Sequence, residues 1–354
     1  MFIQVEINAG LKKGDASFKP CTFKELTLKE GHLEDFVRMN VGLFFTDDDT
    51  GEPTENILIV GQQVSNTEKG RTDLIGIDGN ANLILVELKR DEDDAKQRSE
   101  PFENQAIRYA ASLATVETIE ALIEKIYIPY IEKHNGEKEF AGYANLTTKE
   151  IANRKLVDEF LKQNKATTKF NLKQKIVLVA SGFEKQTLSA VSWLIANGVE
   201  ISCFKITPGK LLDKYFVKID KVLPPPTLKK QLVGFKPGKG SLTESHSFGS
   251  KQTKEQLPRM PYLFEKGVLK KGDILVIRGS DDSEAEVVNS SEVVFKGETL
   301  SYNEWGQTVK KWPSINIYDF AILKGGTKTL GELRFQKMNE DPDLLDSDSQ
   351  YENR

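Results

Sequence analysis

Four consecutive apolar residues, Leu83-Ile84-Leu85-Val86, run directly into Glu87-Leu88-Lys89. A run of this kind marks a strand covered on both faces, as at the centre of an α/β sheet. Charges at the end of such a strand are costly unless something compensates them. Strand alternation puts Glu87 and Lys89 on one face. Upstream, Asp73 to Asp78 reads as a second strand, and Gly79-Asn80-Ala81-Asn82 between the two is rich in turn formers. With the turn centred near Asn80, partner numbers sum to about 160, and directly opposed residues have Cβ atoms about 4.5–5.5 Å apart. Asp73 then lies opposite Glu87. Two carboxylates so close repel, and a divalent cation between them turns the repulsion into a binding site. Lys89 on the same face is placed to stabilise phosphate charge or an attacking hydroxide. The plainer alternative is an ordinary hairpin with a surface Asp and a Glu–Lys pair.

The flanking pattern is that of one α/β domain over residues 1–225. Leu33 to Phe44 has helical periodicity, and Asn56 to Val64 reads as a strand. Glu103–Thr115, Val116–Ile131 and Ile151–Asn164 read as helices. Lys175–Ala180, Lys185–Asn197 and Val199–Ile206 form a β-α-β unit, which implies parallel strands with buried faces. Pro224-Pro225-Pro226 breaks regular structure. Residues 226–257 are rich in Lys, Gly, Ser and Thr and read as a basic linker. A small α+β domain follows at 258–335, then an acidic tail at 336–354.

Composition narrows the chemistry. Three histidines, His32, His134 and His246, are far apart, and the two cysteines, Cys21 and Cys203, are too few for a zinc cage or a disulfide framework. Hydrolytic chemistry here would rest on carboxylates and lysine. With no apolar run near the roughly 18 residues of a membrane span and no signal-like start, the expectation is a cytoplasmic protein with no membrane partner. The net charge is −4, yet Lys205 to Lys239 holds nine lysines against two aspartates. That stretch suits phosphate binding, and it suits a solvated surface equally.

The series G-R-T-D-L-I-x-x-D and N-L-I-L-V-E-L-K-R resembles the PD-(D/E)XK nuclease superfamily, in particular its NucS-type and RecB-like members. The likeness covers roughly residues 20 to 223. Leu33-Glu34-Asp35-Phe36 resembles the group's first helix, and Ile59 to Val64 the strand entering the site. Gln105-Ala106-Ile107-Arg108-Tyr109 resembles its Q-x-x-x-Y motif. The resemblance implies a restriction-endonuclease-like mixed central sheet flanked by helices. It also implies Asp73 and Glu87 as ligands of Mg²⁺ (Mn²⁺ substituting), Glu34 as a further ligand, and Lys89 as the catalytic lysine. Gln105 and Tyr109, at i and i+4 on one helix face, would orient a phosphate or a catalytic side chain. Arg71, Arg90, Arg98 and Arg108 are candidates for phosphate contacts.

Leu263 to Leu275, the turn at Lys296-Gly297-Glu298 and Leu330-Gly331-Glu332-Leu333-Arg334 resemble the RAMA domain attached to restriction enzymes and adenine methylases. Such a domain would help to read DNA, with Trp305, Trp312, Tyr318 and Phe320 either offering a stacking surface or filling the core. Two places depart from that family: Ser301-Tyr302-Asn303-Glu304-Trp305 and Asn316-Ile317-Tyr318-Asp319-Phe320 replace its usual helix start and aromatic strand. The expectation is a homodimeric, metal-dependent DNA endonuclease in restriction, defence or repair. The alternative is a DNA-binding protein that keeps the fold without cutting.

Overall fold

The structure, a computed structural model, describes residues 3–7, 11–17, 19–47, 52–67, 70–90, 100–211, 214–224 and 259–340. The linker expected at 226–257 and Arg98 lie outside them. Two compact units are present.

The first unit takes residues up to Asn40 and resumes at Ile59. It is mixed α/β. Its central sheet contains β3 (Lys19–Pro20), β4 (Ile57–Ser65), β5 (Arg71–Asp78), β6 (Leu83–Lys89), β7 (Lys175–Ala180), β8 (Glu200–Leu211) and β9 (Lys214–Leu223). A separate antiparallel hairpin, β1 (Ile3–Ile7) and β2 (Leu11–Ser17), precedes it. The order is β3-β8-β7-β6-β5-β4, with β9 also paired to β8. β5 and β6 are antiparallel, while β6, β7 and β8 are mutually parallel. The apolar run Leu83–Val86 thus lies at the centre, buried throughout.

Helices α1 (Glu30–Met39) and α2 (Phe102–Ala114) contact β6, and α2 also contacts α6 (Lys185–Ala196). α1 is shorter than its periodicity suggested. Asn40 closes it, its side-chain amide donating to Phe36 O at 2.8 Å, and Val41–Phe44 continues as a 3₁₀ turn. The helical stretch after Thr115 is broken into α3 (Ile119–Leu122), a wide π turn (Ile123–Tyr127) and α4 (Ile128–His134). Likewise α5 (Thr148–Ala152) runs into a π segment, Asn153–Leu161. β9 was not foreseen. Residues 214–217 are exposed and 218–223 half-buried, so neither face is covered and the apolar/polar alternation that marks a strand is missing.

The second unit joins the C-terminal residues to Val41–Leu58, a stretch assigned from the sequence to the N-terminal domain. Polar contacts make the join. Arg259 pairs with Asp47 at 2.6 Å and Glu52 at 3.2 Å, and Ser314 Oγ donates to Glu55 O. Five antiparallel strands form its sheet: β10 (Ile274–Ile277), β11 (Ala285–Val287), β12 (Glu292–Phe295), β13 (Glu298–Ser301) and β14 (Ala321–Leu323). Lys296 and Gly297, both at positive φ, make the two-residue turn between β12 and β13. Its helices are α7 (Met260–Glu265), α8 (Tyr302–Lys310), which starts on a Ser301–Glu304 capping box, and α9 (Leu330–Glu340). The first residues of the expected acidic tail are therefore the last turn of α9, where Glu340 accepts from Lys337 and Gln336. The rest of the tail is outside the described residues.

Candidate metal and phosphate site

The register of the β5–β6 hairpin is set locally. The Asp78 carboxylate accepts from the backbone N–H groups of Asn80 at 2.9 Å and Asn82 at 2.8 Å, closing the turn on itself. Ala81 takes a positive φ, and Lys175 neutralises Asp78 at 2.8 Å. Leu74 consequently pairs with Val86 and Ile77 with Leu83. One step further, Asp73 faces Glu87. Each carboxylate holds the other strand's backbone: Leu88 N–H donates to Asp73 Oδ2 at 2.8 Å, and Asp73 N–H approaches Glu87 Oε1 at 3.4 Å.

Lys89 extends from the end of the same strand. Its Nζ donates to Leu88 O at 2.8 Å, lies 3.7 Å from Glu30 Oε1, and stands over the Phe102 ring. Glu87 and Lys89 are completely buried, and Glu34 and Asp73 nearly so. Burial raises the Asp73 carboxyl to about 6, and Glu34 and Glu30 push it the same way; Lys89 and the Leu88 N–H oppose them.

α1 supplies Glu30 and Glu34, one helical turn apart and so on one face. Glu34 meets the strands through two consecutive glutamines. Gln63 Nε2 donates to Glu34 Oε1 at 2.5 Å and approaches Asp73 Oδ1 at 3.4 Å. Gln62 Nε2 approaches Glu34 Oε2 at 3.4 Å and donates to Asp35 at 3.1 Å. Gln62 Oε1 in turn accepts from Lys133 Nζ at 3.2 Å and lies 2.9 Å from His134 Nε2. The other His134 nitrogen faces Glu137 at 2.6 Å, and Glu137 grips Arg38 with both oxygens. Burial holds the His134 imidazole below its usual range, against the pull of Glu137. A continuous chain of polar contacts thus runs from Arg38 through His134 to Asp73.

Gln105 and Tyr109 meet at the strand that leads into the site. The buried Tyr109 phenol oxygen accepts from Arg71 N–H at 3.1 Å, and Gln105 Nε2 approaches it at 3.5 Å. The Tyr109 contact is with the start of β5, two residues before Asp73. Among the arginines, Arg71 is exposed, Arg90 donates to Leu28 O at 3.1 Å, and the exposed Arg108 pairs with Glu100.

The donor set fits a hard divalent cation, since Glu34, Asp73 and Glu87 offer only carboxylate oxygens. Among the described residues no three acidic, His or Cys side chains are gathered tightly enough to enclose an ion. Between Glu34 and Asp73 the Gln63 amide makes the link, a neutral donor where a cation would neutralise both.

Sequence reasoning missed Glu30, Gln62, Gln63 and His134. Glu30 was recoverable from its i, i+4 spacing to Glu34. The glutamines and His134 had no local signal, because their partners come from α1, β4 and α4. A buried Glu103, accepting from Thr187 Oγ1 at 2.8 Å, was missed for the same reason.

In the second unit the proposed stacking aromatics form the core. Trp305 is fully buried and its Nε1 donates to Ser283 O at 3.0 Å. Trp312 packs edge-on against Phe320 at 5.3 Å, and Tyr318 lies under the Arg334 guanidinium at 3.8 Å. Trp305 and Trp312 therefore present no ring face to DNA in this structure. Exposed aromatics occur instead on β9, where Tyr215, Phe216 and Val217 stand among Lys210, Lys214 and Lys218. No helix among the described residues is long and apolar enough to cross a membrane. No family profile, no curated protein and no solved structure matches this chain.

Proposed function

We propose that this chain is a metal-dependent DNA endonuclease of the PD-(D/E)XK type with a restriction-endonuclease-like fold. One observation carries the reading: Asp73 and Glu87 face each other across a central hairpin, with Lys89 at the end of the same strand. Burying three ionisable groups there is expensive. Asp73, Glu87 and Glu34 would hold Mg²⁺ or Mn²⁺. A bound divalent ion supplies charge neutralisation at the phosphate and a more acidic water. Lys89 supplies a fixed positive charge where negative charge develops on the phosphoryl oxygens. Phe102, beside its ammonium, keeps bulk water from solvating it. Tyr109 holds the backbone leading to Asp73, and Gln105 lies against the Tyr109 hydroxyl.

DNA is the proposed partner, and the β8–β9 hairpin the surface that meets it. Lysines neutralise phosphates, and Tyr215 and Phe216 offer faces on which unpaired bases can stack. Cleavage of both strands of a duplex by one site per subunit would require a homodimer. The C-terminal unit is proposed to be RAMA-like, with any DNA contact made by its surface rather than its tryptophans.

The closing test is cleavage of unmodified, methylated and branched DNA with Mg²⁺ or Mn²⁺, comparing wild type with Glu87→Ala and Lys89→Ala. Both variants should lose cleavage and keep their circular dichroism. Full activity in both would sink the assignment. A second reading, a DNA-binding protein that does not cut, draws on the near-complete closure of Glu87 and Lys89 from solvent. DNA retention without cleavage by the wild type in either metal would favour it.

A further inference from the structure

Neighbouring residues of a strand normally point to opposite faces. Gln62 and Gln63 in β4 do not, since both amide groups converge on the Glu34 carboxylate. The left-handed backbone of Gln63, φ +57°, breaks the alternation. A conformation that glycine adopts freely is here imposed on a glutamine.

The two amides are held differently. Gln62 cannot turn over. Its Oε1 accepts from the Lys133 ammonium and its Nε2 faces the Glu34 and Asp35 carboxylates, so a flip would set the amide N–H against a cation and the amide oxygen against two acceptors. Gln63 makes its contacts to Glu34 Oε1 and Asp73 Oδ1 through Nε2. Among the described residues nothing fixes its Oε1. On Asp73, Oδ2 is engaged by the Leu88 N–H, so Oδ1 is the oxygen that faces Gln63 and Glu34. Gln63 is also half-exposed where the carboxylates are buried, which places it on the solvent side of the group.

We propose that Gln63 is a ligand of the divalent cation: its amide N–H bridges Glu34 and Asp73 in the metal-free protein, and its carbonyl oxygen turns onto the ion when one binds. This rests on the nuclease reading of the same site. The turn is a rotation about the last side-chain torsion; it breaks no covalent bond and moves no proton, and it gives up the N–H contacts to Glu34 and Asp73 for coordination of the ion. It exchanges a donor for a hard oxygen of the type that Mg²⁺, Mn²⁺ and Ca²⁺ accept alongside carboxylates. Gln62, locked to His134, keeps Glu34 in place while Gln63 moves.

The test uses the full chain without DNA and Mn²⁺ as the probe, with binding read by electron paramagnetic resonance of free Mn²⁺. Gln63→Gly removes the side chain and suits the left-handed backbone, so the fold is retained. It should weaken Mn²⁺ binding by roughly tenfold or more. Gln63→Glu keeps an oxygen ligand and adds charge. It should bind Mn²⁺ at least as tightly as wild type and show a larger rise in Tm on Mn²⁺ addition, because the metal-free state has lost its bridging donor. Equal Mn²⁺ affinity in wild type and Gln63→Gly would overturn the ligand role and leave the nuclease reading standing. A wild-type protein that binds no Mn²⁺ at millimolar concentration would overturn both.

Discussion

The Tyr109 phenol oxygen accepts a hydrogen bond from the backbone N–H of Arg71, two residues ahead of Asp73, across 3.1 Å. Helix α2 thereby fixes where β5 begins, and with it the approach of Asp73 to Glu87. Gly70 makes the approach possible, since a Cβ there would meet Tyr109 Cε1 at 2.6 Å. Tyr109→Phe should cost about 0.5–1.5 kcal/mol in urea unfolding, the net value of one ordinary hydrogen bond. Cleavage should fall further than stability does, because the strand start shifts. Gly70→Ala should reproduce the loss of cleavage. Wild-type cleavage in Tyr109→Phe would show that the contact does not position Asp73.

The carboxyl of Asp73, raised to about 6 chiefly by burial, links stability to pH. A folded-state value above the ordinary 3.8 favours the protonated form in the folded protein. Its stabilising contribution is therefore complete below the unfolded value and is lost as pH rises through about 6. Metal-free protein should gain stability between pH 7 and pH 5. Asp73→Asn should remove that part of the pH dependence and stabilise the metal-free protein at pH 7 by up to about 3 kcal/mol. Denaturant midpoints at the two pH values, with chelator present, measure both effects. A less stable Asp73→Asn at pH 7 would contradict the prediction.

On the β8–β9 hairpin, Tyr215, Phe216 and Lys214 are exposed, whereas Trp305 is sealed in the second unit. Lys214→Glu and Tyr215→Ala should weaken DNA binding several-fold without altering Tm, and Lys214→Glu should also flatten its salt dependence. Trp305→Ala should instead cost about 3–5 kcal/mol of stability, as loss of a large buried ring does. Fluorescence anisotropy with labelled oligonucleotides at two salt concentrations separates the cases. Hairpin variants that bind like wild type would remove this surface from consideration.

Residues Val41–Leu58 make their contacts with the C-terminal unit. In a fragment ending at 225, Asp47 and Glu52 lose Arg259, and Asn56 loses Asp319 and the N–H of Asn316. Buried Ile57 also loses its bridge to Ser314. Such a fragment should aggregate or melt well below the full chain. Scanning calorimetry of the two proteins checks this. An equally stable fragment would mean that 41–58 does not depend on those partners.

Legibility in the sequence followed the range of the forces. The β5–β6 register could be counted from the turn because Asp78 closes it within four residues, and the apolar run marked the central strand directly. Glu34 was reached only through resemblance, since nothing near it in sequence says that α1 lies over β6. Gln63 was passed over for a similar reason: its left-handed backbone is a tertiary imposition that no propensity records. The membership of 41–58 in the second unit rests on ion pairs more than two hundred residues apart, such as Glu52 with Arg259, and such pairs leave no periodic trace. The tryptophans left two readings open because aromatic residues look alike in sequence whether they stack on a ligand or fill a core.

β6 has two neighbours of very different origin. One, β5, is its hairpin partner; the other, β7, pairs Leu178 beside Glu87 and Ala180 beside Lys89 from far downstream. A chain emerging from the ribosome can close the hairpin early, yet the strand stays one-sided until β7 arrives. Closing so long a loop is slow, and the acidic pair has its final surroundings only once most of the first unit has been synthesised. The order of translation thus delays the competence of the site until the scaffold around it is complete.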